Sequence, residues 1–467
     1  MRDLFQDWVL DPILRSIDVF ASKDAFCISG TRYSYRQFGE AIEVKRNEYK
    51  ERKESICALE IHDDLDTYAS IVALWLEGKA YVPINPNHPE DRNRRIIDQI
   101  SGFECPFTDP LAYVLFTSGS TGLPKGVAIS RKNVGAFMDS FWKTGVTVDE
   151  NDRCLQCFDL TFDVSVQSFL AALTRGACVY TVPYGQVKYL QVASLIHESH
   201  ITFGAMAPSM LVFLRPYFDE LDASSLKTCI LTAEACPADL IEEWQKCARN
   251  AEIYDFYGPT EATVYCTAYH CPRNAPVLSV NGVVSIGKPL SNVTAIILDD
   301  RGKIVDIQEG KGELCVAGDQ VTQGYWNNPE KNASSFSIIE YDGQKLRFYH
   351  TGDLCYRDST DDLMYLGRID QQAKIQGFRV ELSEIEFHVR TFYENAYRVV
   401  AIAFQNDKNI TEIALFVECA DRSSEALVEY LRSKMPSYMI PSRILFLEDI
   451  PLNSNDKIDR NRLKSML

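Results

Sequence analysis

Short apolar runs rich in β-branched residues alternate with longer amphipathic stretches along most of this chain. The runs include SICALEI, ACVYTV, TAIILDD and VVAIAFQ, and the amphipathic stretches include NRRIIDQI and PADLIEEWQKCAR. Strands that alternate with helices in this way build parallel sheets covered by helices. Because 467 residues exceed the usual size of one hydrophobic core, we expect at least two domains. The sequence therefore predicts an α/β fold with parallel sheets in the N-terminal bulk.

The clearest domain boundary lies at Asp370, at the end of YLGRID. The segment KIQGFRVELSEIEFHV that follows predicts a tight hairpin leading into a helix. Beyond it we expect two strands, VVAIAF and ALFVEC, and a helix in SEALVEYLRSKM that ends before Pro436. This pattern indicates an N-terminal core over 1–369 and a small α+β domain over 370–467.

The charge and cysteine content exclude several classes of protein. A formal net charge of -17 argues against binding a nucleic-acid backbone, which requires a basic face. We find no signal peptide and no apolar run that approaches the roughly 18 residues of a membrane span, so we expect a cytoplasmic protein. The 14 cysteines are scattered, and the lone pair Cys154 and Cys157 is interpreted as core cysteines rather than a redox or metal site.

A loop rich in glycine and hydroxyl residues follows a predicted strand in YVLFTSGSTGLPKG. Such a loop directs backbone N–H groups and hydroxyls at an anion, and a lysine at its end adds positive charge. The loop differs from the common GxxxxGK[ST] motif, because its lysine is followed by glycine. We predict a phosphate-binding loop whose polar side chains are Thr117, Ser118, Ser120, Thr121 and Lys125.

Further motifs accompany the loop in a fixed order: AYVPINPNHPEDR before it, then FDVS, DFYGPTEAT, GELCVAG, YHTGDL, GRIDQQAKIQGFRVELSEIE and NDKIDR. Together they resemble the adenylate-forming superfamily, specifically the amino-acid adenylation enzymes of nonribosomal peptide synthesis. The resemblance implies activation of an amino-acid carboxylate with ATP, then transfer to the phosphopantetheine thiol of a carrier protein. It also implies a large N-terminal domain of layered parallel sheets with a β-barrel-like part, and a small mobile C-terminal domain.

The resemblance assigns the nucleotide contacts. Tyr257 would pack on adenine, Thr260 would touch the α-phosphate, and Glu261 would ligate Mg²⁺, a hard cation that prefers oxygen ligands. Asp353 would accept both ribose hydroxyls. The complete set of expected ATP-binding residues is Thr117, Ser118, Gly119, Ser120, Thr121, Gly122, Lys125, Asp255, Phe256, Tyr257, Gly258, Thr260, Asp353, Tyr365, Arg368 and Lys457.

The resemblance makes Lys457 the central catalytic residue, together with Thr260 and Glu261. A lysine that bridges the substrate carboxylate and the phosphate oxygens would favour the approach of two anions. The family has glycine before this lysine, whereas this chain has Asp456, which restricts the backbone and adds a negative charge. For the second half-reaction the C-terminal domain would rotate about a hinge at Asp370.

The substrate pocket is also assigned by resemblance. Asp163 in FDVS would pair with the α-amine of an amino acid. Acyl- and aryl-activating relatives generally lack this aspartate. The remaining pocket positions are Val164, Gln167, Ala205, Ile230, Thr232, Phe256, Val264 and Tyr265. This lining is mostly apolar and resembles proline-activating domains, so L-proline is the leading candidate. Alanine, including D-alanine, and other small apolar amino acids are the alternatives.

No carrier-protein segment follows Lys457, so we expect a free-standing monomer that loads a separate carrier protein. Two rival interpretations stay open. One is an acyl- or aryl-CoA ligase that shares the first reaction step. The other is an inactive regulatory homologue that binds nucleotide. The reason to consider it is the acidic Asp456, which stands where the family has glycine.

Overall fold

The computed structural model describes residues 3–103, 105–119, 123–183, 187–305, 310–370, 372–419, 424–452 and 458–467. It divides into two compact units. The first contains Met1–Asn85, Glu104–Leu115 and Gly126–Ile369, and the second contains Pro86–Phe103, Phe116–Lys125 and Asp370–Leu467. Two N-terminal segments thus group with the C-terminal part, and the limits of a domain over 370–467 stay a prediction.

The described strands, in chain order, are β1 (Asp24–Ile28), β2 (Thr31–Ser34), β3 (Ile56–Glu60), β4 (Ala80–Ile84), β5 (Leu111–Thr117), β6 (Lys125–Ser130), β7 (Arg153–Gln156), β8 (Cys178–Thr181), β9 (Phe203–Met206), β10 (Thr228–Thr232), β11 (Glu252–Tyr257), β12 (Thr267–Cys271), β13 (Ser279–Val280), β14 (Val283–Val284), β15 (Lys288–Pro289), β16 (Val293–Leu298), β17 (Gly312–Gly318), β18 (Gly324–Tyr325), β19 (Phe336–Tyr341), β20 (Gln344–Arg357), β21 (Leu363–Arg368), β22 (Gln372–Ile375), β23 (Phe378–Glu381), β24 (Val399–Gln405), β25 (Thr411–Glu418) and β26 (Arg443–Leu447).

The described α-helices are α1 (Asp11–Val19), α2 (Tyr35–Lys50), α3 (Leu65–Leu76), α4 (Glu90–Ile100), α5 (Arg131–Trp142), α6 (Asp163–Leu173), α7 (Lys188–Glu198), α8 (Pro208–Leu214), α9 (Ala238–Cys247), α10 (Pro329–Ser335), α11 (Leu382–Phe392), α12 (Glu425–Lys434) and α13 (Arg460–Lys464). A short 3₁₀ helix spans Thr260–Ala262. Within the described residues, none of the helices is both long and apolar enough to cross a membrane.

A nine-stranded sheet forms the centre of the first unit, in the order β15-β12-β11-β10-β9-β7-β8-β1-β2. The pairs from β11 to β1 are parallel, and the pairs at both edges are antiparallel. Helices connect the parallel strands, since such strands need a long crossover. The predicted α/β fold with parallel sheets is therefore confirmed.

Two further sheets each contain five strands. One has the order β18-β6-β5-β4-β3. The other consists of β16, β17, β20, β19 and β21, all paired antiparallel. The resemblance implies a barrel-like part. The described strands of this five-stranded sheet do not close into a barrel.

The C-terminal elements follow the predicted pattern. Strands β22 and β23 form an antiparallel hairpin that leads directly into α11. Strands β24 and β25 are antiparallel, and β26 adds to β25 in parallel. Their buried faces pack with α11 and α12 in a hydrophobic core of their own. None of the 14 cysteines forms a disulfide bond, and Cys154 and Cys157 are buried, which agrees with their interpretation as core residues.

Candidate nucleotide and amino-acid site

Asp163 begins α6, a helix in which every residue is buried. Its side chain is only 7% exposed, and one carboxylate oxygen, Oδ2, has no hydrogen-bond partner within the described residues. Burial raises the pKa of Asp163 to about 6, and the nearby negative charge of Glu261 acts in the same direction. A hydrogen bond from Thr260 partly opposes this shift. A buried carboxylate in this state favours a cationic partner.

Glu261 lies in the short helix after β11, and its side chain is fully buried. The hydroxyl of Tyr325, in β18, donates a hydrogen bond of 2.6 Å to its Oε1. Asp163 and Glu261 repel one another electrostatically. Carboxylate oxygens are ligands that a hard cation prefers, so the buried carboxyl group of Glu261 fits a magnesium ion.

The segment after Glu261 is buried and has a strained backbone. Thr263 and Val264 both have positive φ, 57° and 67°, which is uncommon for β-branched residues. Gln320 holds this segment, since its carbonyl accepts a 2.6 Å hydrogen bond from Thr263 and its Nε2 donates one of 2.7 Å to the carbonyl of Tyr265. A Cβ at Gly258 would collide with the carbonyl oxygen of Val264, so glycine is required there.

Six of the nine predicted pocket residues belong to one hydrophobic core, in which Ala205 and Ile230 face one another on β9 and β10. The other three, Asp163, Gln167 and Thr232, are buried polar residues. At one side the hydroxyl of Tyr265 donates to Oε1 of Gln167 at 3.3 Å, whereas Nε2 of Gln167 has no partner among the described residues. The Tyr265 ring packs 4.9 Å from that of Phe256. The lining therefore combines apolar walls with a polar pair, and the pocket positions named from the sequence that belong to this core are Val164, Ala205, Ile230, Phe256, Val264 and Tyr265.

Asp353 is held by two side chains in the first unit. Its Oδ2 accepts a hydrogen bond of 2.5 Å from the hydroxyl of Tyr257, and its Oδ1 lies 3.0 Å from Nη1 of Arg368. Asp353 and Arg368 are direct partners across β20 and β21. Burial, followed by the charge of Asp353, raises the pKa of Tyr257 well above its usual range. Tyr365 packs at the margin of the core that contains Tyr257, so the structure brings these four predicted residues together.

The predicted phosphate-binding loop belongs to the second unit. Gly119 donates its N–H to Oε2 of Glu384 at 3.0 Å, and Nζ of Lys125 lies 3.0 Å from Oε1 of Glu381. The hydroxyl of Thr117 is buried and has no hydrogen-bond partner in the described part of the chain. The remaining predicted loop residues, Ser120, Thr121 and Gly122, lie outside the described residues.

The sequence of this chain matches a known family. The family described as AMP-binding enzyme matches residues 103–326. Zwittermicin A synthase ZmaJ from Bacillus cereus is 31% identical over 457 residues, which cover 88% of this chain and 85% of that protein. The chain belongs to the AMP-binding enzyme family. This membership confirms the predicted resemblance to adenylation enzymes of the nonribosomal peptide synthetase type.

Longer relatives share the AMP-binding region. Tyrocidine synthase 2 from Brevibacillus parabrevis is 29% identical over 473 residues, and gramicidin S synthase 1 from Brevibacillus brevis is 29% identical over 452 residues. The chain spans 13% of the first and 40% of the second. Among solved structures, the Vibrio cholerae adenylation domain AlmE in complex with glycyl-adenosine-5'-phosphate shares the fold with a TM-score of 0.87 at 22% identity, covering 98% of this chain and 97% of AlmE.

Lys457 and Asp370 are the two remaining predicted functional positions of this AMP-binding enzyme. Lys457 and the preceding Asp456 lie outside the described residues, so their roles stay predictions. Asp370 is exposed, and its Oδ1 accepts a hydrogen bond of 3.0 Å from the backbone of Gln372. Its role as a hinge also stays a prediction.

Sequence reasoning missed Tyr325 and Gln320, which contact residues of the candidate site. Tyr325 is 1% exposed and contacts Glu261, while Gln320 is fully buried and fixes the segment that carries Tyr265. An aromatic residue in QGYWNNPE indicates a core position rather than a contact with a distant acid. Gln320 follows the GELCVAG strand closely in the sequence. Glutamine is usually a surface residue, so this position alone did not predict a buried supporting role.

Proposed function

We propose that this AMP-binding enzyme activates a small amino acid with ATP, forming aminoacyl-AMP and releasing pyrophosphate. The observation that carries this proposal is the buried carboxylate of Asp163, whose Oδ2 has no hydrogen-bond partner within the described residues. An α-ammonium group would supply both the missing hydrogen bond and the missing positive charge. A fatty or aryl acid would leave this carboxylate without a cation.

The reaction is an in-line displacement at the α-phosphate of ATP, in which the substrate carboxylate attacks and pyrophosphate leaves. Glu261 would hold a magnesium ion, which supplies electrostatic stabilisation of the phosphate charge. Thr260 would contact the α-phosphate. Lys457 would hold the substrate carboxylate against the α-phosphate, so that two anions can approach without water between them.

The ribose contact is proposed for Asp353. Arg368 and Tyr257 each engage a different oxygen of its carboxylate, which fixes the plane of the group. A carboxylate has about four acceptor sites, so both oxygens keep capacity for the ribose hydroxyls. Tyr257 would then present its ring to adenine while its hydroxyl stays with Asp353.

For the substrate we propose L-proline first, then L- or D-alanine. The bulky side chains of Phe256 and Tyr265 are both buried within the core that contains Asp163's neighbour Val164, which favours a short substrate side chain. Within the part of the chain described, the assigned pocket positions include no second charged side chain beside Asp163. A charged substrate side chain would therefore lie unpaired in a buried environment, which is costly.

The second half-reaction is proposed as transfer of the aminoacyl group to the phosphopantetheine thiol of a carrier protein. The thiol attacks the acyl carbon, the bond to the AMP oxygen breaks, and AMP leaves. In support, the solved structure PA1221, described as containing adenylation and PCP domains, has the same fold with a TM-score of 0.85 over 100% of this chain. Its identity to this chain is 21%, so the likeness concerns the fold.

Amino-acid-dependent exchange of pyrophosphate into ATP tests the proposal. We expect exchange with a small amino acid, and loss of that exchange when Asp163 is replaced by alanine. An acyl- or aryl-CoA ligase would give exchange with a non-amino acid and would tolerate Asp163→Ala. A regulatory homologue would bind ATP and give no exchange with any carboxylic acid.

A further inference from the structure

A glutamate, a cysteine and a histidine converge on two neighbouring strands of the first unit. Glu313 and Cys315 are two positions apart on β17, so their side chains lie on the same face of the sheet. His350, on β20, is the direct partner of Cys315 across the two strands. One potential metal-ligand atom from each of the three residues lies within 4.8 Å of the other two. We call these three residues the Glu-Cys-His cluster.

The spacing of the ligand atoms suits a tetrahedral metal ion. Sγ of Cys315 lies 3.4 Å from Nδ1 of His350, and Nδ1 lies 2.9 Å from Oε2 of Glu313. Zinc bonds of about 2.0 Å to nitrogen and oxygen and about 2.3 Å to sulfur set the nitrogen and sulfur ligands about 3.5 Å apart, and the nitrogen and oxygen ligands about 3.3 Å apart. The thiol and the imidazole therefore already have the required separation, and the carboxylate needs to move by about 0.4 Å.

Two neighbouring groups orient the cluster, as the outer hydrogen-bond partners of a metal site do. The hydroxyl of Ser337, on β19, lies 2.7 Å from Nε2 of His350, so it can accept the Nε2 proton and leave the Nδ1 lone pair to a cation. The second oxygen of Glu313, Oε1, accepts a 2.9 Å hydrogen bond from the backbone N–H of Gly352. Oε2 can therefore bind an ion while Oε1 keeps its present partner.

Ligand chemistry and burial favour a thiophilic divalent cation over a hard one. Thiolate and imidazole select zinc and similar transition metals, whereas magnesium prefers oxygen ligands. A thiolate and a carboxylate together balance the two positive charges of such an ion. Cys315 is fully buried, but the side chains of Glu313 and His350 are 25% and 26% exposed, which gives an ion a path from solvent.

We propose that the Glu-Cys-His cluster binds one thiophilic divalent transition-metal ion, such as Zn²⁺, through Sγ, Nδ1 and Oε2, with a water molecule as the fourth ligand. Binding displaces the thiol proton to solvent, forms the bond between sulfur and the metal, and leaves the imidazole proton on Nε2. The inference is independent of the proposed adenylation activity, because none of the three residues is assigned to ATP, magnesium or the amino acid.

Metal titration of the full chain, purified without a histidine tag and stripped with a chelator, tests the cluster. Zn²⁺ or Co²⁺ is added with Mg²⁺ in excess, so that sites made of oxygen ligands are already filled. We expect one tightly bound ion per chain and, with Co²⁺, a charge-transfer absorption band from the thiolate. Cys315→Ser should remove that band and raise the Kd for Zn²⁺ at least about a hundredfold, and Ser337→Ala should raise it about tenfold.

His270→Gln and Cys247→Ser are matched controls that should bind Zn²⁺ as the wild type does. His270 pairs with Glu252 at the surface, and Cys247 is a partly buried thiol elsewhere in the first unit. If Cys315→Ser does not fold, His350→Gln, at a partly exposed position, gives the same test. A wild type without a tightly bound Zn²⁺, or cluster variants that bind it as the controls do, would overturn the proposal and leave the cluster as a hydrogen-bonded network alone.

Discussion

The hydroxyl of Tyr325 donates a 2.6 Å hydrogen bond to Oε1 of Glu261, a side chain with no exposure to solvent. This contact links β18 to the short helix after β11 and fixes the carboxylate that we assign to magnesium. Tyr325 touches neither substrate in our proposal, so it is a positioning residue. Its hydrogen bond to a charged group is worth about 1.5–3 kcal/mol.

Replacing Tyr325 with phenylalanine keeps the ring and removes that donor. We expect the Mg²⁺ concentration for half-maximal exchange to rise roughly tenfold, because a misoriented ligand binds the ion less well. The KM for the amino acid should stay within about twofold. Tyr341→Phe, at a partly exposed position on β19, is the control. An unchanged Mg²⁺ dependence in Tyr325→Phe would show that Glu261 does not need this support.

Asp163→Asn tests the proposed contact with the substrate amine. Loss of a buried ion pair costs about 3–5 kcal/mol, so the KM for the amino acid should rise at least about a hundredfold. The KM for ATP should change little, since Asp163 is assigned to the amine alone. Ser168→Ala is a matched control in the same buried helix, because its hydroxyl bonds only to the carbonyl of Val164 among the contacts described. Similar losses in both variants would indicate a general effect on α6.

The raised pKa of Asp163 predicts how substrate binding depends on pH. Burial raises this pKa to about 6, so the carboxyl group of the free enzyme becomes neutral as the pH falls through that value. A neutral carboxyl cannot pair with an ammonium group. Affinity for the amino acid should therefore fall about tenfold for each pH unit below 6. Direct binding measurements between pH 5 and 8 would show this slope in the wild type, and a flat profile would contradict it.

The same pKa predicts a change in folding stability without substrate. An acid whose pKa is raised by folding stabilises the protein when protonated, and this contribution is lost as the pH rises through about 6. At pH 8 the ligand-free Asp163→Asn variant should be more stable than the wild type, by roughly 1–3 kcal/mol. The difference should shrink towards pH 4. Denaturant unfolding at both pH values checks this, and a less stable variant at pH 8 would refute it.

Asp353→Asn tests the ribose contact. We expect the KM for ATP to rise roughly tenfold or more, because one charged acceptor becomes neutral and Arg368 loses its anion. The variant should also lose the preference of the wild type for ATP over 3′-deoxy-ATP. Asp361→Asn, an exposed position paired with Arg357, is the control. If the variant kept its preference between the two nucleotides, Asp353 would not contact the ribose.

Local patterns in the sequence predicted much of the fold, because strands and helices leave a periodic signal. The hairpin that leads into α11 and the helix that ends before Pro436 both formed as expected. Asp163 and Gln167 have the largest polar side chains in α6, whose other positions are apolar residues or serine, and this distinguishes them from ordinary core positions. Family motifs, rather than periodicity, assigned their roles.

Contacts between distant segments could not be predicted in this way. Arg92 and Glu384 are separated by 292 residues, yet they form a buried ion pair within the second unit. Nothing in the pattern of α4 or α11 specifies a partner so far along the chain, since an acid or a base on an amphipathic helix is typical of a solvent-exposed charge. The grouping of 86–103 and 116–125 with the C-terminal elements was missed for the same reason.

Amino-acid-dependent exchange of pyrophosphate into ATP, measured with every proteinogenic amino acid and with D-alanine, tests the central claim most directly. We predict exchange with a small amino acid, strongest with L-proline. In Lys457→Ala the exchange rate should fall by about a thousandfold or more, because the lysine acts directly on the charges of the reacting anions. Asp456→Gly, measured in parallel, reports whether the acid beside Lys457 reduces the rate. No exchange with any of these amino acids at saturating Mg²⁺ would contradict the account.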